Sequence, residues 1–333
     1  MKLITYSKNS NQQVAFYVNE MLFDVNMINT TLPITLKELL EDWGHYQPIA
    51  QKAYEQLLAS TEGFTGIAYQ DACIMAPIPN PSSCRDGYAF RQHVAAARRN
   101  RKVDMIPEFD AYPIFYFTNH NAIQGPGAIP CMPDHFQKLD FELEIAAVIG
   151  KKGRNFTAAE ADEYIAGYTI MNDMSARTLQ MEEMLLNLGP AKGKDFSTVI
   201  GPIFVTPDEL AAHKVPAKEN HTGAAYNLAM KCWVNGVLVS EGNVADMDWT
   251  FAEIIERCGY GVDVLPGDVI GSGTVGTGCF LELNGTGLLN DPNYPVQWLK
   301  DGDVVEMEIT GLGRLTNTIK AVDSSFSILK LKK

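Results

Sequence analysis

Only six cysteines occur in the 333 residues, at positions 73, 84, 131, 232, 258 and 279, and no two form a Cys-x-x-Cys pair. That scatter excludes a disulfide framework and a structural zinc site, and it fits reduced thiols in a cytoplasmic protein. Positive charge is also scarce: 27 Lys and Arg stand against 40 Asp and Glu, a net charge of −13. Such a surface repels phosphate backbones, so nucleic acid is not an expected partner. The local basic cluster Arg91, Arg98, Arg99, Arg101 and Lys102 reads as a solvated helix face. Long apolar runs are missing too. No uncharged stretch approaches the ~20 residues of a membrane span, and residues 1–8 carry no signal-peptide core, so no membrane is expected. Internal repeats and low-complexity tracts are absent. What is present is an ordinary globular composition, long enough for one large domain or two unequal ones.

Residues 1–75 mix short strand-like runs (13–18, 21–25) with helical patterns (35–43, 46–58). Prolines 77, 79 and 81 then alternate within residues 76–85. Alternating prolines favour a stiff, extended connection, which sets a boundary between a small N-terminal domain and a larger one over 86–333. A helix is expected over 86–102. Beyond it, short apolar runs at 114–117, 141–149, 167–172, 200–205, 228–234, 269–274, 279–283 and 304–309 outnumber helical patterns at 158–164 and 250–258. Many strands and few helices predict a β-rich α+β protein and not a doubly wound sheet. Gly271, Gly273 and Gly276 match a dinucleotide-binding spacing. That fingerprint must open a helix, whereas these glycines run into the strand-like 279–283, so no nucleotide cofactor is expected. The glycines instead let the backbone approach a ligand or another strand closely.

The chemistry-bearing residues cluster in pattern. Asp140, Glu142 and Glu144 alternate with Phe141, Leu143 and Ile145, so on a strand the three acids share a face. The run then turns wholly apolar to Ile149. Inward-facing carboxylates need partners, and a hard divalent cation is the natural one; a solvated acidic edge strand is the competing reading. Asp173 closes an apolar strand, and Arg177 and Gln180 follow at helical spacing, compatible with an N-cap and an (i, i+4) ion pair. Lys194 lies in a glycine-rich stretch where a lysine is usually solvent-exposed. Asp86 and His93, seven residues apart, would share one side of a helix. A lone histidine is more often structural than catalytic. Glu282, between Leu281 and Leu283, points away from them, either into solvent or toward a donor.

The order of these residues along the chain resembles the fumarylacetoacetate hydrolase family, from about Pro77 to the C-terminus. The segment Asp86 to His93, ending Arg91-Gln92-His93, is especially similar to the fumarylacetoacetate hydrolases proper. The resemblance implies a small barrel-like N-terminal domain, a mixed β-sandwich roll as catalytic domain, and a homodimer. It implies one divalent cation per chain, Mg²⁺ or Ca²⁺, on Asp86, Glu142, Glu144 and Asp173. It implies a His93–Glu282 dyad, with Arg177, Gln180 and Lys194 stabilising charge and Tyr88, Tyr116, Gly273 and Thr274 contacting a small dicarboxylic or diketo acid. The implied reaction is hydrolytic cleavage of a carbon–carbon bond, with fumarylacetoacetate giving fumarate and acetoacetate in aromatic amino-acid catabolism. Residues 181–184 depart from the family, which carries a tyrosine shortly past the Gln180 position. That leaves acylpyruvate hydrolysis, oxaloacetate decarboxylation and oxo-diene acid isomerisation or hydration open on the same scaffold. A non-catalytic metal- or metabolite-binding module is the reading from another class; it predicts binding without turnover.

Overall fold

The run from Ile145 to Ile149 is apolar throughout because the strand it belongs to is covered on both faces. In the computed structural model, which describes residues 1–332, Ile145, Ala147 and Ile149 point into one hydrophobic core while Ala146 and Val148 point into a second. Strand alternation thus feeds two cores from one segment.

The strands that matter are β1 (Lys2–Lys8), β2 (Asn11–Val18), β3 (Met21–Asp24), β4 (Cys84–Gly87), β5 (Phe115–Thr118), β6 (Gly127–Cys131), β7 (Leu143–Ile149), β8 (Ile165–Asp173), β9 (Thr198–Val205), β10 (Ala229–Val234), β11 (Val237–Asn243), β12 (Val269–Gly271), β13 (Val304–Ile309) and β14 (Gly313–Ala321). A large twelve-stranded sheet includes the order β3-β2-β1-β9-β8-β7-β12-β4-β5. Along this order the pairings are antiparallel except β12 with β4, which run parallel with Gly271 opposite Asp86. A second sheet, β11-β10-β13-β14-β6, packs its apolar face (Met230, Cys232, Met307, Leu315) into the first core.

The α-helices longer than four residues are α1 (Leu36–Glu41), α2 (Trp43–Ala59), α3 (Arg91–Asn100), α4 (Arg177–Met184), α5 (Phe251–Cys258) and α6 (Phe280–Asn290). Two of them begin where their sequences say they should. Thr35 and Glu38 form a reciprocal capping box on α1, and Thr250 and Glu253 form another on α5. On α5, Phe251, Ile254, Ile255 and Cys258 make the buried stripe that a 3.6-residue period requires. Each of the three larger side chains contributes about 1.5–3 kcal/mol by leaving water.

The β-rich α+β character is as expected, but no closed barrel occurs among the described residues. Strands β1–β3 extend the large sheet through β1 and β9, with Leu3 opposite Phe204. Helices α1 and α2 pack on them in a core that also takes Ile200, Phe204 and Val269. The proline-rich connection is part of that packing: Ala76 and Ile78 are buried, and the Thr5 hydroxyl donates to the Pro77 carbonyl at 2.7 Å.

Candidate active site

Three strands of the large sheet, β8, its neighbour β7, and β4 on the far side of β12, deliver three carboxylates to one place. Asp86 sits within β4, Glu144 near the start of β7, and Asp173 at the end of β8. Glu142 joins them from the bend just before β7. All four are buried, and one carboxylate oxygen from each lies within 4.8 Å of the others. The glycines earlier matched to a nucleotide motif make this approach possible. A Cβ on Gly271 would strike Asp86 and the Met171 sulfur; one on Gly273 (φ +79°) would sit 2.6 Å from the Gly87 carbonyl. In return the Gly273 N–H donates to Asp86 Oδ1 at 3.0 Å.

Two cations enter the cluster from one side. Lys194 donates from Nζ to Asp173 Oδ2 at 2.6 Å and to Glu142 Oε2. Arg177 spreads over three partners: Glu142 Oε1 from Nη2 at 2.8 Å, Asp140 Oδ2 from Nε at 2.8 Å, and Gln180 Oε1 from Nη1 at 2.9 Å. The Tyr116 hydroxyl donates to Asp173, and that of Thr274 to Glu144 Oε1 at 3.4 Å.

The carboxylates therefore differ electrostatically. Burial alone would raise Glu142, but Lys194 and Arg177 outweigh it and hold its carboxyl at about 2. Burial, reinforced by the Asp173 charge, pushes Asp86 up to about 7. Burial and the neighbouring Asp86 push Glu144 well above the usual carboxylate range, and burial raises Asp173 despite Lys194. Glu144 Oε2 and Asp173 Oδ1 are buried with no hydrogen-bond partner. Unpaired carboxylate lone pairs facing like charge are costly, and a hard divalent cation with oxygen ligands satisfies both conditions. The donor set fits such an ion.

Above the cluster, His93 Nδ1 and Glu282 Oε2 are 2.6 Å apart, both side chains buried. Glu282 Oε1 accepts from the Thr277 N–H at 2.9 Å, and Tyr88 stands edge-on to the imidazole with ring centroids 6.0 Å apart. His93, Glu282, Tyr88 and Tyr116 all line a cavity of about 860 Å³. Asp86, Glu142, Arg177, Gln180, Lys194, Gly273 and Thr274 line it as well, whereas Glu144 and Asp173 stand behind them.

Several local expectations are corrected. Glu282 is not on a strand but in the first turn of α6. The Leu281–Leu283 alternation mimics a strand, while the helix start is fixed from afar: Asp140 accepts from the N–H groups of Phe280 and Leu281 at 2.8 and 2.9 Å. A helix thus does follow the glycine run. Its preceding strand, β12, lies between antiparallel β7 and parallel β4, and the next strand, β13, belongs to the other sheet, so no βαβ nucleotide unit forms. Asp86 and His93 do not share a helix; α3 starts at Arg91, after the strand and a turn. Arg177 opens α4 and bonds Asp140 and Glu142, so the expected ion pair with Asp173 is replaced by Lys194, which is buried and not solvent-exposed. Of the basic cluster, Arg98 and Arg101 line the cavity mouth. Sequence reasoning missed Asp140 as a member of the assembly, although its place in the alternating acidic run was a signal. It also missed the apolar wall formed by Ile106, Leu288, Val296 and Trp298, for which scattered single residues give none.

Comparison with known proteins gives a consistent placement. Residues 83–320 match the fumarylacetoacetate (FAA) hydrolase C-terminal family. The chain is 30% identical over 307 residues to oxaloacetate tautomerase FAHD2A, mitochondrial, of Homo sapiens, covering 90% of this chain and 83% of that protein. Its fold is similar to the fumarylacetoacetate hydrolase of psychrophilic Exiguobacterium antarcticum, with a TM-score of 0.68, 23% identity and coverage of 97% and 100% of the two chains. It is similar also to the maleylpyruvate hydrolase of Sphingobium sp. SYK-6, solved in complex with manganese(II) ion and pyruvate, with a TM-score of 0.68, 18% identity and coverage of 96% and 99%. The chain belongs to the fumarylacetoacetate hydrolase family. No helix of the described residues is long and apolar enough to cross a membrane.

Proposed function

We propose that this chain is a metal-dependent hydrolase that cleaves a carbon–carbon bond in a β-diketo acid, with fumarylacetoacetate as the leading substrate. The observation that carries the reading is the His93–Glu282 pair on the wall of a cavity whose floor is the four-carboxylate cluster. Asp86, Glu142, Glu144 and Asp173 would hold one divalent cation, Mg²⁺ or Ca²⁺, which supplies Lewis-acid polarisation of chelated substrate oxygens.

The protein's own groups divide the remaining work. With Nδ1 committed to Glu282, the imidazole has Nε2 left to take a proton from water, and Glu282 stabilises the resulting imidazolium. The water oxygen adds to the carbonyl carbon. Lys194 retains a third ammonium proton beyond those given to Glu142 and Asp173, and it is available to the oxyanion. Arg177 fixes Gln180 through its side-chain oxygen, so the Gln180 amide nitrogen is left as a second donor. Such donors are each worth a few kcal/mol when preorganised, about 2.7–4 in the measured cases. The carbon–carbon bond then breaks, its electron pair leaves as an enolate, and the His93 imidazolium returns the proton to carbon. One water is consumed, and one acid and one ketone form: fumarate and acetoacetate from fumarylacetoacetate.

A second reading is tautomerisation of a small 2-oxo acid, favoured by the 30% identity to a protein named as an oxaloacetate tautomerase. There the same imidazole would carry a proton between carbon and oxygen, and no water would be consumed. Purified protein with Mg²⁺, given fumarylacetoacetate, an acylpyruvate or oxaloacetate in H₂¹⁸O, separates the two. Hydrolysis places ¹⁸O in one carboxylate product. Accelerated keto–enol exchange of oxaloacetate, with no cleavage of either diketo acid, would replace the hydrolase reading.

A further inference from the structure

Asp140 is fully buried, lies outside the four-carboxylate cluster, and takes no part in the chemistry above. Its two oxygens nevertheless collect four donors. Oδ1 accepts from the N–H groups of Phe141 at 3.0 Å and Phe280 at 2.8 Å; Oδ2 accepts from Leu281 N–H at 2.9 Å and Arg177 Nε at 2.8 Å. A carboxylate that only neutralised Arg177 would not need the helix, and one that only capped α6 would not need the guanidinium.

The geometry points to Asp140 as a positioning residue that holds Arg177 and the His93–Glu282 dyad in a fixed relation to each other. The chain of contacts is short. Asp140 anchors the first two N–H groups of α6, and Glu282 is the next residue of that turn. Glu282 N–H is capped in turn by Cys279 Sγ at 3.4 Å, and its carboxylate orients His93. On the other side, the same Asp140 oxygen that takes Leu281 N–H takes Arg177, whose Nη2 reaches Glu142. One side chain therefore joins the arm that binds charge to the arm that moves the proton. Misplacing a reacting group by about 1 Å can cost on the order of 10²-fold in rate, so a joint of this kind is worth as much as a directly acting group.

The inference rests on the dyad reading, and a double-mutant cycle separates the two. Asp140→Asn keeps the shape but turns an N–H₂ toward one of the present donors. We expect kcat to fall by about 10- to 100-fold with a smaller change in KM. Added to Glu282→Gln, the same change should cost clearly less than it does alone, because the part of its effect that runs through Glu282 is already lost and only the Arg177 arm remains. The proton NMR signal of the His93 Nδ1–H that faces Glu282 should move in Asp140→Asn toward its position in Glu282→Gln. Fully multiplicative rate losses with an unmoved His93 N–H signal would overturn the proposal and leave Asp140 a purely structural ion-pair partner. If neither His93→Ala nor Glu282→Gln slows turnover, the dyad reading itself fails. Should Asp140→Asn not fold, Asp140→Glu, which keeps the charge but shifts it by one methylene, carries the same cycle and the same two outcomes.

Discussion

The floor of the cavity and its wall are built by different rules. The floor carboxylates Asp86, Glu144 and Asp173 come from strands β4, β7 and β8 of one sheet, locked by ladder hydrogen bonds and by glycines that admit no side chain. The wall residues His93, Arg177, Gln180 and Glu282 ride on three short helices and are held by side-chain hydrogen bonds. Beyond α4 the wall gives way altogether: Leu185, Leu186 and Leu188 are 80–91% exposed. A metal site needs several ligands held at short fixed distances, which a sheet provides. Proton transfer needs a pair of groups that meet well but can yield, which helix termini provide. Floor lesions should therefore remove metal binding, and wall lesions should spare it.

The largest expected effect lies in the floor. Asp173→Ala deletes a proposed ligand and the acceptor for Lys194 and Tyr116, and should weaken divalent-cation binding by more than about 10²-fold, beyond the cost of losing an outer-shell partner. Titration calorimetry with Mg²⁺ measures it directly. Metal binding should also be linked to pH. In the metal-free chain, Asp86 keeps its proton up to about 7, whereas the unfolded chain loses it near 3.8. The folded state then binds more protons across that window, so metal-free stability falls as pH climbs from 3.8 toward about 7, and the loss is complete above it. A cation displaces that proton and removes the repulsion. The rise in Tm on adding Mg²⁺ should accordingly be larger at pH 8 than at pH 5, and Asp173→Ala should abolish it. A pH-independent rise would contradict the shared-cation picture of the floor.

The wall gives the next effect. His93→Ala should lower kcat by roughly 10²–10⁴-fold, the usual worth of a general base, and leave the Mg²⁺ affinity near that of the parent. Glu282→Gln should be milder, since the imidazole remains but loses its anionic partner. If His93→Ala instead abolished metal binding while sparing turnover in metal-loaded protein, the division between floor and wall would collapse.

Legibility in the sequence follows the same division. Strand alternation is local, so Glu142 and Glu144 could be seen to leave the apolar run on one side, and Asp173 to close its strand. The family order of residues then tied Asp86 to them. The wall was readable only as a list of residues, not as a structure. Glu282 was placed on a strand because Leu281 and Leu283 alternate, while the group that starts its helix, Asp140, is about 140 positions away in sequence. Helical spacing pairs Arg177 with Asp173, yet the fold brings Asp140 and Glu142, 37 and 35 positions earlier, against it instead. Likewise β1–β3 read as a separate small unit, because nothing local reveals that Leu3 will face Phe204 across a sheet.

Thr274 stands at the seam and should show the smallest effect. It is buried on the cavity side of the glycine turn, and its hydroxyl donates to Glu144 at a long 3.4 Å. A bond of that length leaves the hydroxyl free to turn to a better acceptor, and a substrate carboxylate entering the cavity is one. Thr274→Val keeps the volume and removes only the hydroxyl. It should raise KM by about 2- to 10-fold, the worth of one ordinary hydrogen bond, while kcat and Mg²⁺ affinity stay close to the parent values. The opposite pattern, weaker Mg²⁺ binding with an unchanged KM, would assign the hydroxyl to Glu144 and Thr274 to the floor. Because the side chain touches both regions, the split between these two constants says on which side of the seam its hydrogen bond is made during turnover.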